Sequence, residues 1–154
     1  EKVRFQSAGG ISFNGDEATA NALHDYEEGS WTPTAYGDST AGSSSYSQQV
    51  GWYTKIGRLV TITGNIYNST SGGAGLMRIG GVPFTCVGEA TGTFQCNDME
   101  NSYQSNVGQY TSIIQDGESA AHFRGTKSNG SGFDYLQIQN MQYLRFTITY
   151  ESVT

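Results

Sequence analysis

The residues of this chain that could carry acid–base or covalent chemistry fall into a few short clusters. The first is Asp25-Tyr26-Glu27-Glu28, inside the stretch LHDYEEGSWTPT from Leu23 to Thr34. On a helical turn Asp25 and Glu28 would share one side, and glycoside hydrolysis needs two carboxylates roughly 5 to 10 Å apart around a cleft. Nothing near them marks a cleft, because Trp31 already stands at the start of a strand. The segment therefore reads as a polar joint that positions Trp31 to pack, with Pro33 on an edge strand. Asp98 and Glu100 are two apart, Asp116 and Glu118 flank the turn residue Gly117, and His122 and Arg124 are again two apart. These read as solvated loop charge, although a glycan-active enzyme would draw on Asp98, Glu100, Asp116 or Glu118. His24 and His122 are the only histidines, and neither belongs to a nucleophile-elbow pattern or a Cys-His pairing. No spaced set of oxygen ligands around a central glycine is present. The sequence thus nominates no catalytic residue, no metal site and no cofactor.

Cys86 and Cys96 are too few for a disulfide framework and wrongly spaced for zinc. A turn at Ala90-Thr91-Gly92 would bring the two sulfurs face to face, and a turn at Gly88 to Thr91 would not. The plainer reading is two small residues packed as thiols.

A second kind of chemistry is noncovalent. Tyr103, Tyr110 and Tyr135 offer flat rings to sugar faces. Asp98, Asn101, Gln104, Asn106 and Arg124 offer directional hydrogen bonds to hydroxyls. Rigid tyrosine among adaptable Ser, Gly and Asn also suits a recognition surface.

The elements that must position these residues are strands. The chain has 154 residues, enough for one domain with a real core. Only 14% are charged, so the surface is built from Ser, Thr, Asn, Gln, Gly and Tyr. A net charge of −6 with 8 Lys and Arg argues against a nucleic-acid partner. No apolar run reaches the roughly 18 residues of a membrane helix, so membrane insertion is not expected. Val50–Ile56 and Leu59–Tyr67 form a hairpin turning at Ile56-Gly57 or Gly57-Arg58. Either turn sets Tyr53 against Val60 and Ile62 on a core face shared with Ile66. Trp52, Thr54, Thr61 and Thr63 fall on the other face, exposed or interfacial. LRFTITY, residues 144–150, alternates with period two, as a half-buried strand does. Leu136 and Ile138 form another alternating pair. Shorter strands are expected at Leu76–Ile79, Val82–Val87, Thr93–Asn97, Val107–Ile114 and Ala121–Arg124. Gly-rich loops are expected at Gly37–Ser45, Asn68–Gly75, Asp98–Asn106 and Lys127–Gly132. The one helix signal is a turn or two within Glu17–Tyr26, capped by Asp16. The expectation is an all-β, antiparallel β-sandwich of jelly-roll type over residues 31–154. Residues 1–30 would be an N-terminal connecting segment. The chain starts at Glu1 without Met, so an upstream part is expected.

Several of these words occur together in a known family. DYEEGSWTPT, YTKIGRLVTITGNI, IGGVPF and the closing LRFTITY resemble, in that order, the C-terminal domains of bacteriophage tail fibres and tailspikes. The resemblance covers roughly residues 11–85 and 143–150, and Gly88–Met141 matches none of the pattern. It implies a β-sandwich that forms a homotrimer at the fibre tip, joined to an upstream shaft. It also implies contact with host surface polysaccharide or lipopolysaccharide, and a place in the virion after assembly in the bacterial cytoplasm. Any enzymatic chemistry would lie in an upstream domain. The helix-rich, self-cleaving chaperone domains of such fibres have a different character. In a trimer the expected joint contacts are Tyr26, Glu27, Glu28, Trp31, Trp52, Lys55 and Arg58, with the acidic residues meeting Lys55 or Arg58 of a neighbouring chain. The alternative within the family is a domain that only trimerises and nucleates folding of the shaft.

Overall fold

Period-two patterning fills the chain with strands, and the computed structural model describes residues 2–18, 21–97, 107–138 and 143–153. A small hairpin of β1 (Val3–Phe5) and β2 (Ile11–Phe13) comes first. The main sheet follows with β3 (Tyr26–Trp31), β4 (Thr34–Gly37), β5 (Ser43–Ile56), β6 (Leu59–Ser71), β7 (Met77–Gly80), β8 (Cys86–Val87), β9 (Ala90–Asn97), β10 (Val107–Ile114), β11 (Ala121–Lys127), β12 (Phe133–Tyr135) and β13 (Tyr143–Ser152). No helical element occurs among the described residues, and every strand pair is antiparallel. The all-β, sandwich-like expectation holds.

The order across the main sheet is β3-β5-β6-β13-β9-β10-β11-β7-β4, with β12 beside β11 and β8 beside β13. Its two edges, β3 and β4, are separated in the chain by Thr32 and Pro33 alone. A sheet whose opposite edges are tied by so short a link must curl until they meet. Side chains of β5 complete the closure. Tyr46 Oη accepts from the Ala35 N–H at 2.8 Å, Ser44 Oγ donates to the Ala35 carbonyl at 3.0 Å, and Gln49 Nε2 donates to the Pro33 carbonyl at 3.0 Å. Backbone groups at a sheet edge are thereby satisfied without a ladder.

The concave face is the core. Val60, Ile62, Ile66, Met77, Ile79, Phe123, Leu136, Leu144 and Ile148 have essentially no exposed surface. One row across it explains two glycines. Trp31, Gly51, Gly64 and Phe146 are consecutive cross-strand partners on β3, β5, β6 and β13. The two facing glycines make room for Trp31 and Phe146 to meet edge to face, with ring centroids 6.1 Å apart. Phe123 continues the stack against Phe146 and Phe94. Gly29, one pleat along β3 from Trp31, clears the Tyr53 ring in the same way.

The turn of the β5–β6 hairpin is Gly57-Arg58, with Ile56 opposite Leu59. Gly57 has a φ of 58° and Arg58 is not left-handed, the arrangement of a type II′ turn. Tyr53 lies opposite Ile62 and Trp52 opposite Thr63, the two faces expected from sequence. The expected loops at Gly37–Ser45 and Asn68–Gly75 are shorter, because β5 begins at Ser43 and β6 runs to Ser71. Their inward residues there are polar, so no hydrophobic alternation marks them. Asn68 Nδ2 donates to Thr70 Oγ1 at 2.8 Å, and the Ser44 and Thr70 hydroxyls share a bond of 2.7 Å.

The helical turn expected in Glu17–Tyr26 reduces to one i→i+3 bond, from the Asn21 N–H to the Ala18 carbonyl at 3.0 Å. Asp16 caps it by accepting from the Ala18 N–H at 2.8 Å. Leu23 instead makes an isolated bridge to Ile11, and Asp25, at a φ of 61°, turns the chain into β3. Asp25 and Glu28 thus do not share a helical side, since Tyr26 to Trp31 is extended. Both cysteines are free thiols. Cys86 lies opposite Ser152 and Cys96 opposite Leu144, near the two ends of β13, so neither hairpin turn brings the sulfurs together.

Gly51→Ala places a Cβ 2.3 Å from Trp31 Nε1. The expected cost is about 1–3 kcal/mol of overpacking, read as a lower urea midpoint. An unchanged midpoint would mean that the Trp31 row does not hold the edge.

Candidate functional site

No described residue covers the convex face of β3, β5, β6, β13 and β9, and its residues form cross-strand rows. Ser30, Trp52, Thr63, Thr147 and Thr93 make one row. Glu28, Thr54, Thr61 and Thr149 make the next, where the Thr61 and Thr149 hydroxyls bond at 3.0 Å. On the other side, Val50, Asn65, Arg145 and Gln95 make a third. Threonine suits such positions because its branched side chain favours a pleated strand while its hydroxyl faces water.

Trp52 breaks this polar lattice. Its ring is 53% exposed, against 8% for Trp31 on the concave face. Beside it runs a shallow groove of about 440 Å³, lined among others by Thr63, Asn65, Gln95, Arg145 and Thr147. On the other flank of Trp52 lies a second hollow of about 420 Å³, walled by Glu28, Gly29, Tyr53 and Thr54. The Arg145 guanidinium lies over the Tyr143 ring, 4.3 Å from its centroid, and Tyr143 contacts Tyr67. An exposed indole with hydroxyls, carboxamides and one guanidinium around it can stack a flat, partly apolar ligand and hydrogen-bond its rim.

The acidic joint is internally paired. Lys55, 5% exposed, bonds Asp25, sits 3.6 Å from Glu27 and lies over the Phe84 ring. The hydrogen bond to Asp25 holds its pKa above the usual lysine value, with burial opposing. Arg58 pairs with Glu151 at 2.8 Å. The Tyr26 hydroxyl donates to Glu28 at 2.8 Å, which raises the phenol pKa. Lys55 and Arg58 each hold a carboxylate of their own chain. Trp31 packs as expected.

Arg124 and Tyr135, nominated as ligand residues, are brought together as cross-strand partners. Arg124 binds both Glu89 oxygens, at 2.7 and 3.3 Å, and lies 4.1 Å over the Phe133 ring. That bidentate pair holds the Glu89 carboxyl below its usual pKa. Arg78 bonds Glu118 at 3.0 Å and donates to His122 Nδ1. Glu118, His122 and Arg124 thus form a half-buried ion cluster with Arg78 and Glu89, where the sequence suggested solvated loop charge. Asp116 accepts from the Gly88 N–H at 2.8 Å. Tyr110 packs against the core. Asp98, Glu100, Asn101, Tyr103, Gln104 and Asn106 lie outside the described residues. Among the described residues no group of three or more His, Cys, Asp or Glu is placed to hold a metal.

Sequence reasoning assigned Trp52 to subunit contacts and did not nominate Asn65, Gln95 or Arg145. The outward positions of LRFTITY and LVTITGNIY carried the signal, but the adjacency of β6, β13 and β9 was needed to see the groove. Comparison with protein-family models, with curated proteins and with solved structures finds no match for this chain.

His122 gives a pH prediction. It is 1% exposed, and with Nδ1 accepting from Arg78 its proton is on Nε2, which has no partner among the described residues. Burial first, then the charges of Arg78 and Arg124, pushes its pKa down to about 4 from 6.5. The unfolded chain takes up this proton near pH 6.5 and the folded chain only near 4, so stability falls as pH drops through that window. The loss should approach about 3 kcal/mol at the acid end. His122→Gln should flatten the urea midpoint between pH 6.5 and 5, and a slope equal to that of the parent would exclude His122 as the cause.

Proposed function

We propose that this chain is a non-enzymatic receptor-binding module. It would be the C-terminal tip of a phage tail fibre, acting as a homotrimer on host cell-surface glycan. The observation that carries the binding part is Trp52, a large aromatic surface held out on a hydroxyl- and amide-rich sheet face. Such a face recognises sugars by stacking their C–H surface and bonding their hydroxyls. The pairing of Asp25, Glu27, Glu28, Glu89 and Glu118 supports the non-enzymatic reading, since each carboxylate already has an intrachain partner. Fibre identity rests on the DYEEGSWTPT, YTKIG, IGGVPF and LRFTITY resemblance. Three modest sites on one tip, and several tips on one particle, would multiply weak affinities.

A second reading, trimerisation and nucleation of the shaft, is favoured by a different set of residues. Tyr26, Ile56, Leu59 and Val87 are exposed at the turn end of the convex face, and Val3, Phe5 and Phe13 on the small hairpin are exposed on one face. Apolar strips of this kind fit subunit contacts. The two readings use separate residues and are compatible.

Trp52→Ala should leave melting nearly unchanged, because the ring is more than half exposed. Its binding to host surface polysaccharide, measured by surface plasmon resonance, should fall at least about tenfold. Binding equal to that of the parent would remove Trp52 from the site.

A further inference from the structure

We infer that the groove beside Trp52 takes a carboxylated saccharide, with Arg145 receiving the carboxylate. The inference rests on the glycan reading above and specifies its ligand. In a chain of net charge −6, the groove lining contains one cation and no carboxylate. Arg4, Lys55, Arg58, Arg78 and Arg124 each hold a carboxylate of the chain. Arg145 holds none among the described residues and is fixed instead against the Tyr143 ring. Stacking on an aromatic face orients a guanidinium while leaving its edge donors free, and that planar fork matches a carboxylate.

The spacing suits a saccharide. Arg145 stands two strands from Trp52 and one pleat repeat along, so the two Cα atoms are roughly 12 Å apart by strand geometry. The Thr63 and Thr147 hydroxyls lie between them, and the carboxamides of Asn65 and Gln95 flank Arg145 in its own row. Asn65 Oδ1 is buried and has no hydrogen-bond partner among the described residues, so Asn65 would meet a ligand through its amide group or after its side chain turns. A sugar ring stacked on Trp52 would place a neighbouring residue over the threonines, with its acid group at Arg145. Glu28, on the far flank of Trp52, disfavours the reverse orientation by like charge.

The test uses the whole chain and oligosaccharides of galacturonate, glucuronate and N-acetylneuraminate, each beside its carboxyl-reduced counterpart. Calorimetry at low salt should show at least one acidic member binding about tenfold or more tighter than its reduced twin, the difference a charge-assisted pair provides. Arg145→Gln should collapse that ratio towards one. Arg145 is exposed, so circular dichroism and melting of the variant should match the parent. Equal binding of acidic and reduced twins, both lost in Trp52→Ala, would overturn the acidic ligand and leave the glycan reading standing. Binding of no saccharide in the panel would overturn both. An acid preference that survives Arg145→Gln would overturn the role given to Arg145.

Discussion

The link Thr32-Pro33 joins the two opposite edges of one long antiparallel sheet, and the rest of the molecule follows from that constraint. A sheet so tied cannot stay open. It curls, as twisted sheets can, until β4 comes beside β5. Trp31, the last residue of β3, anchors the corner. Its ring is buried over two facing glycines and against Phe146, and its Nε1–H donates to the Thr63 carbonyl at 3.1 Å. The β4 edge is then sealed by Tyr46, Ser44 and Gln49 rather than by ladder hydrogen bonds. Closure by side chains leaves fewer backbone groups open to unwanted pairing.

Curling sorts every residue of β3, β5, β6, β13 and β9 onto a concave or a convex face. The concave positions are mainly aliphatic, aromatic or glycine, with Lys55 and the Ser44, Asn68 and Thr70 group among the polar exceptions. The convex positions are largely threonine, serine, asparagine and glutamine; Trp52, Arg145, Glu28, Val50 and the strip of Tyr26, Ile56 and Leu59 are among the departures. Because a strand alternates strictly, Trp52 and Gly51 are inseparable. The glycine that admits Trp31 to the core sits beside the residue that presents an indole to solvent. The same backbone that closes the fold displays the face proposed for recognition, which is built on strands. Low charge density on this face is consistent with stacking and hydroxyl contacts as the main source of affinity, with Arg145 supplying a directional exception.

Much of this was legible in sequence where side-chain alternation is apolar against polar. LRFTITY and the hairpin around Gly57-Arg58 were placed with their faces correct, and Trp31 was recognised as a packing residue. The Ser43–Tyr46 and Asn68–Ser71 extensions were not, because hydroxyls and a carboxamide turn inward there and satisfy one another. The acidic joint was read as a turn because Asp25, Glu27 and Glu28 are poor strand formers. Pairing with β5 and the buried Lys55 outweigh that preference. Glu118, His122 and Arg124 looked like loop charge because Glu89 and Arg78, their partners, lie 35 and 40 residues or more away in sequence. The groove was hidden for a topological reason. Trp52 and Arg145 become neighbours only once β13 inserts between β6 and β9, and no local pattern announces that order.

On the proposed reading the convex face meets ligand and is not consumed by assembly. The two tryptophans allow a direct test, since Trp31 is 8% exposed and Trp52 is 53% exposed. Iodide quenching of the intrinsic fluorescence therefore reports Trp52. It should be measured across chain concentration, with light scattering following the mass towards three times 16.6 kDa, and then with host surface polysaccharide added. Assembly should leave the quenching constant unchanged, and polysaccharide should lower it. Protection that appears with assembly, and does not deepen with polysaccharide, would contradict that reading and make the Trp52 face a subunit interface.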